Sequence, residues 1–357
     1  MAQSDEGSED QARGLIAIEE KQMRQLARGA RTFLLATVCA ALNGGGSPSA
    51  RAQDAWKPTR PVTLIAPNAP GGTSDRTARE MQRIIQANRL VDVSIVVVNR
   101  PGGNGTLALN QLIAAPGDGH ILMIATSNLL GNHITGLTKL NHTDFTALAL
   151  MLEDYFGVNV RTGSSIQSAR DMLDRLKANP EALSLGSSSI AGNNFTSLAL
   201  GLKRDGVDVK RLRVVNFAGG GQSTLALLGG HIDILSTGLS NMADHLQQGR
   251  MRTLVVSAPR RRPGLFSGVP TWKEVGVEMT ASSWRAVVAP KDLKPAQIAY
   301  WEGVFRKLVQ TEDWKKEVVE NFWENTYLPA AATRRRLEEE YTETRQILTE
   351  LGMAKTP

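Results

Sequence analysis

The sequence predicts an α/β protein. Short apolar runs rich in Val, Ile and Leu alternate with longer amphipathic patterns, as expected when strands are followed by helices. The chain has 357 residues, of which 41% are hydrophobic and 21% are charged. This is a globular composition with enough length for about two domains. Loops of small residues follow several predicted strands, and an open parallel sheet binds its ligands at that position.

Each element is assigned from its periodicity and from the residues that bound it. The predicted strands are Val62–Ala66, Val93–Val98, Ile121–Ala125, Leu183–Leu185, Arg213–Phe217, Ile232–Ser236, Thr253–Val256 and Ala286–Ala289. Pro295 fits the start of a helix, because the φ angle of proline is already helical. The last predicted helix is amphipathic. The predicted helices include Asp75–Gln86, Thr106–Ala114, Ala169–Ala178, Asn194–Leu202, Ser223–Leu228, Met242–Gln248, Pro295–Gln310 and Ala332–Leu351.

Residues 1–52 predict an export signal. Three arginines between positions 24 and 31 precede an apolar run at 32–42, and Ala-Arg-Ala at 50–52 gives a small-x-small cleavage pattern before Gln53. The apolar run is too short to span a bilayer. Residues 1–22 are acidic and fit no part of a signal, so we expect translation to start at Met23 and the signal peptide to occupy 23–52. The protein would then be periplasmic. The alternative is a disordered tail followed by a buried helix.

Cysteine content and charge narrow the function classes. The only cysteine, Cys39, lies in the apolar run, so a chain cleaved before Gln53 has no thiol for catalysis, disulfides or metal binding. The net charge is +6, but basic residues are dispersed apart from two arginine triplets, and aromatic residues make up only 5%. This pattern disfavours nucleic-acid binding. For the triplet Arg260–Arg262 we expect a solvated loop, with docking on a membrane partner as the alternative.

Four predicted strand ends share one type of loop. The loops read "APNAPGGTSD" after Ile65, "ATSNLLGNH" after Ile124, "GSSSIAGNN" after Leu185 and "FAGGGQS" after Asn216. Small residues leave backbone N–H groups accessible, and three of the loops lead into a predicted helix. One such loop is weak evidence, but four of them indicate a single cleft lined by N–H and hydroxyl donors.

Nucleotide binding and catalysis are disfavoured by missing motifs. The first loop lacks both G-x-G-x-x-G and G-x-x-x-x-G-K-[ST], and the chain has no G-x-S-x-G elbow. No two histidines have the i, i+4 spacing of a helical metal site. We therefore expect no catalytic residue, no cofactor and no metal. The histidines are scattered at His120, His133, His142, His231 and His245.

A carboxylate ligand suits the first loop. A helix N-terminus offers unpaired N–H groups and a partial positive charge. Gly71 and Gly72 allow close approach to the backbone, while Thr73 and Ser74 add hydroxyl donors. Asp75 has two interpretations, either as a complement to the helix dipole or as a partner for a polar or cationic ligand group. The alternative for the whole loop is a plain helix start.

These residues resemble a known family. The segment "PVTLIAPNAPGGTSDRTAR" resembles the opening of the Bug receptors, the periplasmic solute receptors of tripartite tricarboxylate transporters. Further resemblances follow in the family's order and cover residues 59–354. They are "VVNRPGGNGTLA", "AAPGDGHILMIATS", "LSLGSSSIAGNNFTSLAL", "VVNFAGGGQSTLALLGGHIDIL" and "GVPTWKEVG".

The resemblance implies a two-lobed periplasmic binding protein, or Venus flytrap, with a largely parallel sheet flanked by helices in each lobe. Lobe 1 would comprise residues 59–157 and 282–357, and lobe 2 residues 158–281, with crossings near Phe156–Val160 and Ser282–Trp284. Asn68 stands where the family often has an aromatic residue. The ligand-binding residues implied are Asn68, Gly71, Gly72, Thr73, Ser74, Asp75, Thr126, Ser127, Ser187, Ser188, Ser189, Asn193, Gly219, Gly220 and Gly221.

The resemblance also implies partners. The receptor would pass a small carboxylate compound to the membrane subunits of a tripartite tricarboxylate transporter, and we expect it to be a monomer that binds no nucleic acid. Two alternatives stay open at this point. One is a carboxylate sensor that presents its closed form to a signalling partner, and the other is a hydrolase or lyase that uses the same cleft.

Overall fold

The computed structural model describes residues 56–187, 192–217 and 220–355. The predicted export signal at residues 1–52 lies outside the described residues. Within those ranges the strands are β1 Val62–Ala66, β2 Ile95–Asn99, β3 Ile121–Thr126, β4 Thr146–Arg161, β5 Ser184–Ser187, β6 Arg213–Asn216, β7 Ile234–Gly238, β8 Met251–Val256, β9 Ser282–Ala289 and β10 Leu328–Pro329. The α-helices are α1 Thr73–Ala87, α2 Thr106–Ile113, α3 Asn128–Ile134, α4 Ala169–Ala178, α5 Asn193–Arg204, α6 Gly220–Leu228, α7 Leu239–Gln247, α8 Pro295–Leu308, α9 Glu312–Glu320 and α10 Ala330–Glu350.

The strands form a continuous sheet in the order β2-β1-β3-β9-β4-β7-β5-β6, and both β8 and β10 pair with β4. At one end β1 runs parallel to β2 and β3, and at the other β5 runs parallel to β6 and β7. The two central strands β9 and β4 are antiparallel to each other and to their neighbours. The C-terminal ends of the parallel strands are therefore followed by loops in two separate groups, and the central strands lie between them.

Strand β4 is the element that joins the two ends of the sheet. Its first half pairs with β9, up to Tyr155 opposite Ser282. Its second half pairs with β7 and β8, starting at Phe156 opposite Gly238. Register shifts interrupt both pairings, and such bulges bend and twist a strand.

Apolar clusters cover both faces of the sheet. On one face α1, α8 and α9 bury a cluster that includes Met81, Trp301 and Trp314. Helix α1 buries Met81, Ile84 and Ile85 together because residues three and four apart share one side of a helix. On the opposite face α2, α3 and α10 contribute to a second cluster. A third cluster, which includes Leu173 and Leu198, lies at the β5–β6 end.

The predicted strands and helices are all present, with ends that differ by a few residues. The elements β4, α3 and α9 were not predicted. The expectation of a solvated loop at Arg260–Arg262 is wrong for its last residue. Arg262 is buried, pairs with Glu324 and lies 5.3 Å from the ring centre of Tyr155. Among the described residues, no helix combines the length and the apolar character needed to cross a membrane.

Candidate functional site

The loop between β1 and α1 has the backbone of a tight turn onto a helix. Gly71 has φ +79°, a left-handed conformation that favours glycine. Gly72 has φ −72° and ψ 166° and is the residue before the first turn of α1. Because it is glycine, it supplies no side-chain cap. Among the described residues, no acceptor meets the N–H groups of Thr73 or Ser74, so two donors stay available at this helix start.

The buried carboxylate of Asp75 holds this loop together. It accepts hydrogen bonds from the N–H of Gly71 at 2.8 Å and from Nδ2 of Asn99 at 2.8 Å, and it pairs with Nε of Arg79 at 2.9 Å. Burial alone would raise the pKa of Asp75, but the bonds from Arg79, Gly71 and Asn99 outweigh burial and keep this pKa below its ordinary value. The carboxylate is thus engaged within the loop, and so is the N–H of Gly71.

Two asparagines complete the loop. Asn68 accepts the N–H of Asp75 with its Oδ1 at 3.1 Å, so it caps the first turn of α1. Asn99 also donates to the carbonyl of Asn68 at 2.9 Å. Asn99 was not among the predicted site residues. It lies opposite Ala66 in the parallel pairing of β1 with β2, and a polar residue at the end of the neighbouring predicted strand was the signal available in the sequence.

The second loop follows β3. Thr126 is half-buried at the end of the strand, and Ser127 is fully buried. The hydroxyl of Ser127 has no hydrogen-bond partner among the described residues. A buried hydroxyl without a partner is costly, and a water or a ligand normally satisfies such a group. Both residues lie beside the start of α3, which was not predicted.

The loops at the other end of the sheet are only partly described. Ser187 is buried at the end of β5, and its carbonyl accepts the N–H of Phe217 at 2.8 Å. Gly220 and Gly221 lie in the first turn of α6 and are exposed, with no atom within 4 Å of a Cβ added at either position. Asn193 begins α5. The predicted site residues Ser188, Ser189 and Gly219 lie outside the described residues.

Among the described residues, two hydrogen bonds connect the two groups of loops. The N–H of Asn193 donates to Oδ1 of Asn128 at 3.2 Å. On the opposite face of the sheet, Nη1 of Arg76 in α1 donates to the carbonyl of Ser240 in α7 at 3.4 Å. The helix start after β1 therefore lies next to the one after β7, and the helix start after β3 lies next to the one after β5, although the members of each pair are far apart along the chain.

A cavity of about 220 Å³, which Asn193 also lines, lies where α5 and α10 meet the central strands. Its lining includes Tyr155, Glu153, Arg336, Glu340 and Glu343. Burial raises the pKa of Glu340 to about 6. Arg336, at 2.6 Å, offsets this only in part, and both Glu343 and Glu153 raise that pKa further. Burial also raises the pKa of Glu153. Of the residues that line this cavity, only Asn193 was among the predicted site residues, since the others come from distant parts of the chain.

The histidines and acids give no sign of a metal centre. Within the described ranges, no group of three or more His, Cys, Asp or Glu side chains is placed to hold a metal ion. His120 bonds to Asp118 at 2.9 Å, and His133 bonds to the hydroxyl of Tyr341 at 2.8 Å. These two rings therefore make structural contacts.

The sequence matches the tripartite tricarboxylate transporter family receptors over residues 77–353. The chain belongs to this family. Protein BugT of Bordetella pertussis is 26% identical over 309 residues, which cover 85% of this chain and 91% of that protein. The family consists of periplasmic solute-binding receptors, so the resemblance inferred from the loop motifs is confirmed.

Solved structures share the fold. The R. palustris protein Rpa4515 with adipate has a TM-score of 0.77 and 24% identity, covering 83% of this chain and 99% of that chain. MatC from Rhodopseudomonas palustris with bound malate has a TM-score of 0.72 and 22% identity, covering 82% and 99%. At these identities the likeness shows the fold alone. It is the two-lobed fold of periplasmic binding proteins, as predicted.

Proposed function

We propose that this protein captures a small carboxylate compound between its two lobes and delivers it to the membrane subunits of a tripartite tricarboxylate transporter. The observation that carries the proposal is the start of α1. There, two N–H groups without an acceptor follow Gly71 and Gly72, in a loop that Asp75 holds in place. A carboxylate placed against a helix N-terminus gains hydrogen bonds and a favourable dipole interaction. The family's periplasmic location and its transporter partners support the same proposal.

The site is divided between the lobes. On the near side, the N–H groups of Thr73 and Ser74 hold one carboxylate, and the buried Ser127 hydroxyl supplies a further donor. On the far side, the first turns of α5 and α6 face the ligand, with Gly220 and Gly221 leaving room for it. The prediction from the sequence also assigns Ser187, Ser188, Ser189 and Gly219 to this far side.

Closure brings the two sides together. Lobe 1 comprises residues 59–157 and 282–357, lobe 2 comprises residues 158–281, and β4 and β9 carry the crossings. Two crossings permit a hinge in which few residues change their backbone angles. The ligand lies between the helix starts and is enclosed when the lobes close. The Asp75 carboxylate, already satisfied by protein donors, shapes the loop and makes no ligand contact.

Dicarboxylates are the first ligands to test. Malate and adipate are named with the similar structures of MatC and Rpa4515. A thermal-shift screen with mono-, di- and tricarboxylates, followed by titration calorimetry, measures binding to this protein. We expect at least one carboxylate to raise Tm and to be recovered chemically unchanged. The absence of binding by every carboxylate would overturn the proposed ligand class, and turnover of a bound compound would show an enzyme instead.

A further inference from the structure

We propose that Asn128 caps the N-terminus of α5 across the cleft, and that this bond holds the closed form on its ligand. The consequence for ligand release rests on the proposed function, whereas the cap itself does not. Asn128 is a positioning residue in this proposal, because it acts through α5 and makes no contact with the ligand. It was not among the residues predicted from the sequence.

The start of α5 lacks a cap of its own. The residue before the helix, Gly192, has no side chain to accept an N–H group. Its carbonyl accepts the N–H groups of Phe195 and Thr196, at 3.0 Å each. The N–H of Asn193 points instead to Oδ1 of Asn128 at 3.2 Å. A side chain that follows β3 therefore satisfies one of the N–H groups that the start of a helix leaves without an intrahelical acceptor.

A ladder of asparagines fixes the orientation of the Asn128 amide. Its Nδ2 donates to Oδ1 of Asn104 at 3.1 Å, and Nδ2 of Asn104 donates to Oδ1 of Asn132 at 2.8 Å. The buried Asn132 in turn donates to the carbonyl of Asn104 at 3.0 Å. Because Nδ2 of Asn128 is used on the near side, its Oδ1 is the atom left to face Asn193.

The ladder also gives a role to the segment "RPGGNG", which supplies no residue of the proposed ligand site. Asn104 has φ +52° and lies between Gly103 at +56° and Gly105 at +95°. Left-handed angles in a row require glycine or asparagine. This turn presents the Asn104 side chain to both Asn128 and Asn132. The segment therefore holds the Asn128 side chain in the orientation that caps α5.

The bond between Asn128 and Asn193 is made only while the two groups of loops are close. Opening of the cleft must break it, and the N–H of Asn193 then faces water. Its loss should speed ligand dissociation, with little effect on association, since encounter occurs with the open form. One neutral hydrogen bond corresponds to a change of about two- to tenfold.

The N–H of Asn193 can be removed without touching the near side. Proline is favoured at the first position of a helix, where it lacks the N–H and has a suitable φ. Gly192 has φ −79° and ψ 144°, which suits a residue before proline. Asn193→Pro deletes the donor, and Asn193→Ala keeps the donor and serves as its reference. Asn128→Ala deletes the acceptor.

Hydrogen exchange of the full chain, without ligand and with adipate or malate, tests the cap directly, because the bond protects the Asn193 amide while the cleft is closed. We expect Asn128→Ala to raise the exchange rate of the Asn193 amide about two- to tenfold. With adipate and malate as probes, stopped-flow dissociation rates should rise by a similar factor in Asn128→Ala and in Asn193→Pro relative to Asn193→Ala. The double variant should dissociate no faster than either single variant, because both remove one bond.

Failure of the cap and failure of the proposed function give different results. Unchanged amide exchange in Asn128→Ala, or additive effects in the double variant, would overturn the cap. A protein that binds neither probe nor any carboxylate of the panel would overturn the proposed function, while the exchange rate of Asn193 still decides for or against the cap. Exchange that is faster throughout α5 in Asn128→Ala would show a general loss of structure and would also count against it.

Discussion

The loop at residues 67–75 and the cavity beside α10 both bury carboxylates, but they neutralise them differently. Asp75 has three donors, namely Arg79, Asn99 and the N–H of Gly71, and its pKa lies below the ordinary value. Glu340 has one guanidinium, that of Arg336, and faces two further carboxylates, so its pKa is about 6. Burial raises the pKa of both carboxyl groups. The number of donors around each carboxylate therefore decides whether a buried acid fixes a loop or makes the structure sensitive to pH.

The largest effect is expected when Asp75 is removed. Asp75→Ala leaves Arg79, Asn99 and the N–H of Gly71 without their common acceptor, and losing one partner of a buried charged network costs about 3 kcal/mol. We expect the free energy of unfolding to fall by about this amount and carboxylate binding to be lost. Urea unfolding and titration calorimetry measure the two effects.

The matched control is another Asp–Arg pair in a helix. Asp174 lies 3.2 Å from Nε of Arg170 with the same i, i+4 spacing as Asp75 and Arg79 but in the reverse order, and it is 65% exposed. Asp174→Ala should cost no more than about 0.5 kcal/mol. Equal losses in the two variants would show that the loop at residues 67–75 gains nothing from the buried position of Asp75.

The next effect is expected at Glu340 and depends on pH. Its pKa is about 6 in the folded protein against an ordinary value of 4.5, so the folded state holds the proton more tightly. The free energy of unfolding should therefore fall as pH rises from 4.5 through about 6. Glu340→Gln should remove this decline and stabilise the protein at pH 7.5 by up to about 2 kcal/mol.

Urea unfolding at several pH values measures this difference. The charged groups that face Glu340 are Arg336, Glu343 and Glu153, and all of them are unchanged in the variant. In Glu343→Gln the decline should become smaller but persist, since Glu343 is 65% exposed and only adds to an increase in the pKa of Glu340 that burial mainly causes. A constant gap between Glu340→Gln and the wild type from pH 4.5 to 7.5 would contradict the assignment.

A smaller effect is expected at Gly72, whose surroundings are crowded. An added Cβ would lie 2.7 Å from Nδ2 of Asn68 and 3.1 Å from the carbonyl of Ala69. Its φ of −72° is open to any residue, so the cost comes from displacing Asn68, the cap of α1. We expect Gly72→Ala to lower the free energy of unfolding by about 1.5 kcal/mol and to weaken carboxylate binding.

Gly303 provides the same substitution in an uncrowded helix. No atom lies within 4 Å of a Cβ added there, so Gly303→Ala should raise the free energy of unfolding by up to about 1 kcal/mol through helix propensity. Urea unfolding should show a lower free energy of unfolding for Gly72→Ala and a higher one for Gly303→Ala, because only the loop at residues 67–75 is closely packed around the added Cβ. Effects of the same sign would contradict that description.

Local patterns in the sequence were sufficient for most elements but not for the central strand. β4 joins an apolar stretch to "EDYFGVNV" and pairs on both sides. Apolar clusters cover both faces of its first half, and a strand buried on both faces shows no simple alternation, so its periodicity gave no signal. Helix α3 was missed because it is short and contains Gly131, and α9 because its sequence "EDWKKEVVE" is mostly charged.

Sequence motifs predicted the start of α1 but not the more distant residues that hold the loops in place. Gly71, Gly72 and Asp75 were predicted from one short segment, since glycines and acids near a helix start carry a local physical meaning. Asn99 and Asn128 were missed because their roles depend on strand pairing and on contacts between distant loops. The cavity at Glu340 was missed for the same reason, as its carboxylates lie on different elements.

The smallest effect is expected at Thr73, and it tests whether backbone groups hold the ligand. The carbonyl of Thr73 accepts the hydroxyl of Thr77 at 3.0 Å, a bond that Thr73→Ala retains, so the free energy of unfolding should barely change. If the N–H groups of Thr73 and Ser74 bind the carboxylate, the Thr73 hydroxyl adds at most one neutral hydrogen bond. Titration calorimetry with the tightest carboxylate should then show a loss of about 0.5–1.5 kcal/mol. Loss of all binding in Thr73→Ala, together with normal binding in Gly72→Ala, would mean that the hydroxyl and not the backbone forms the site.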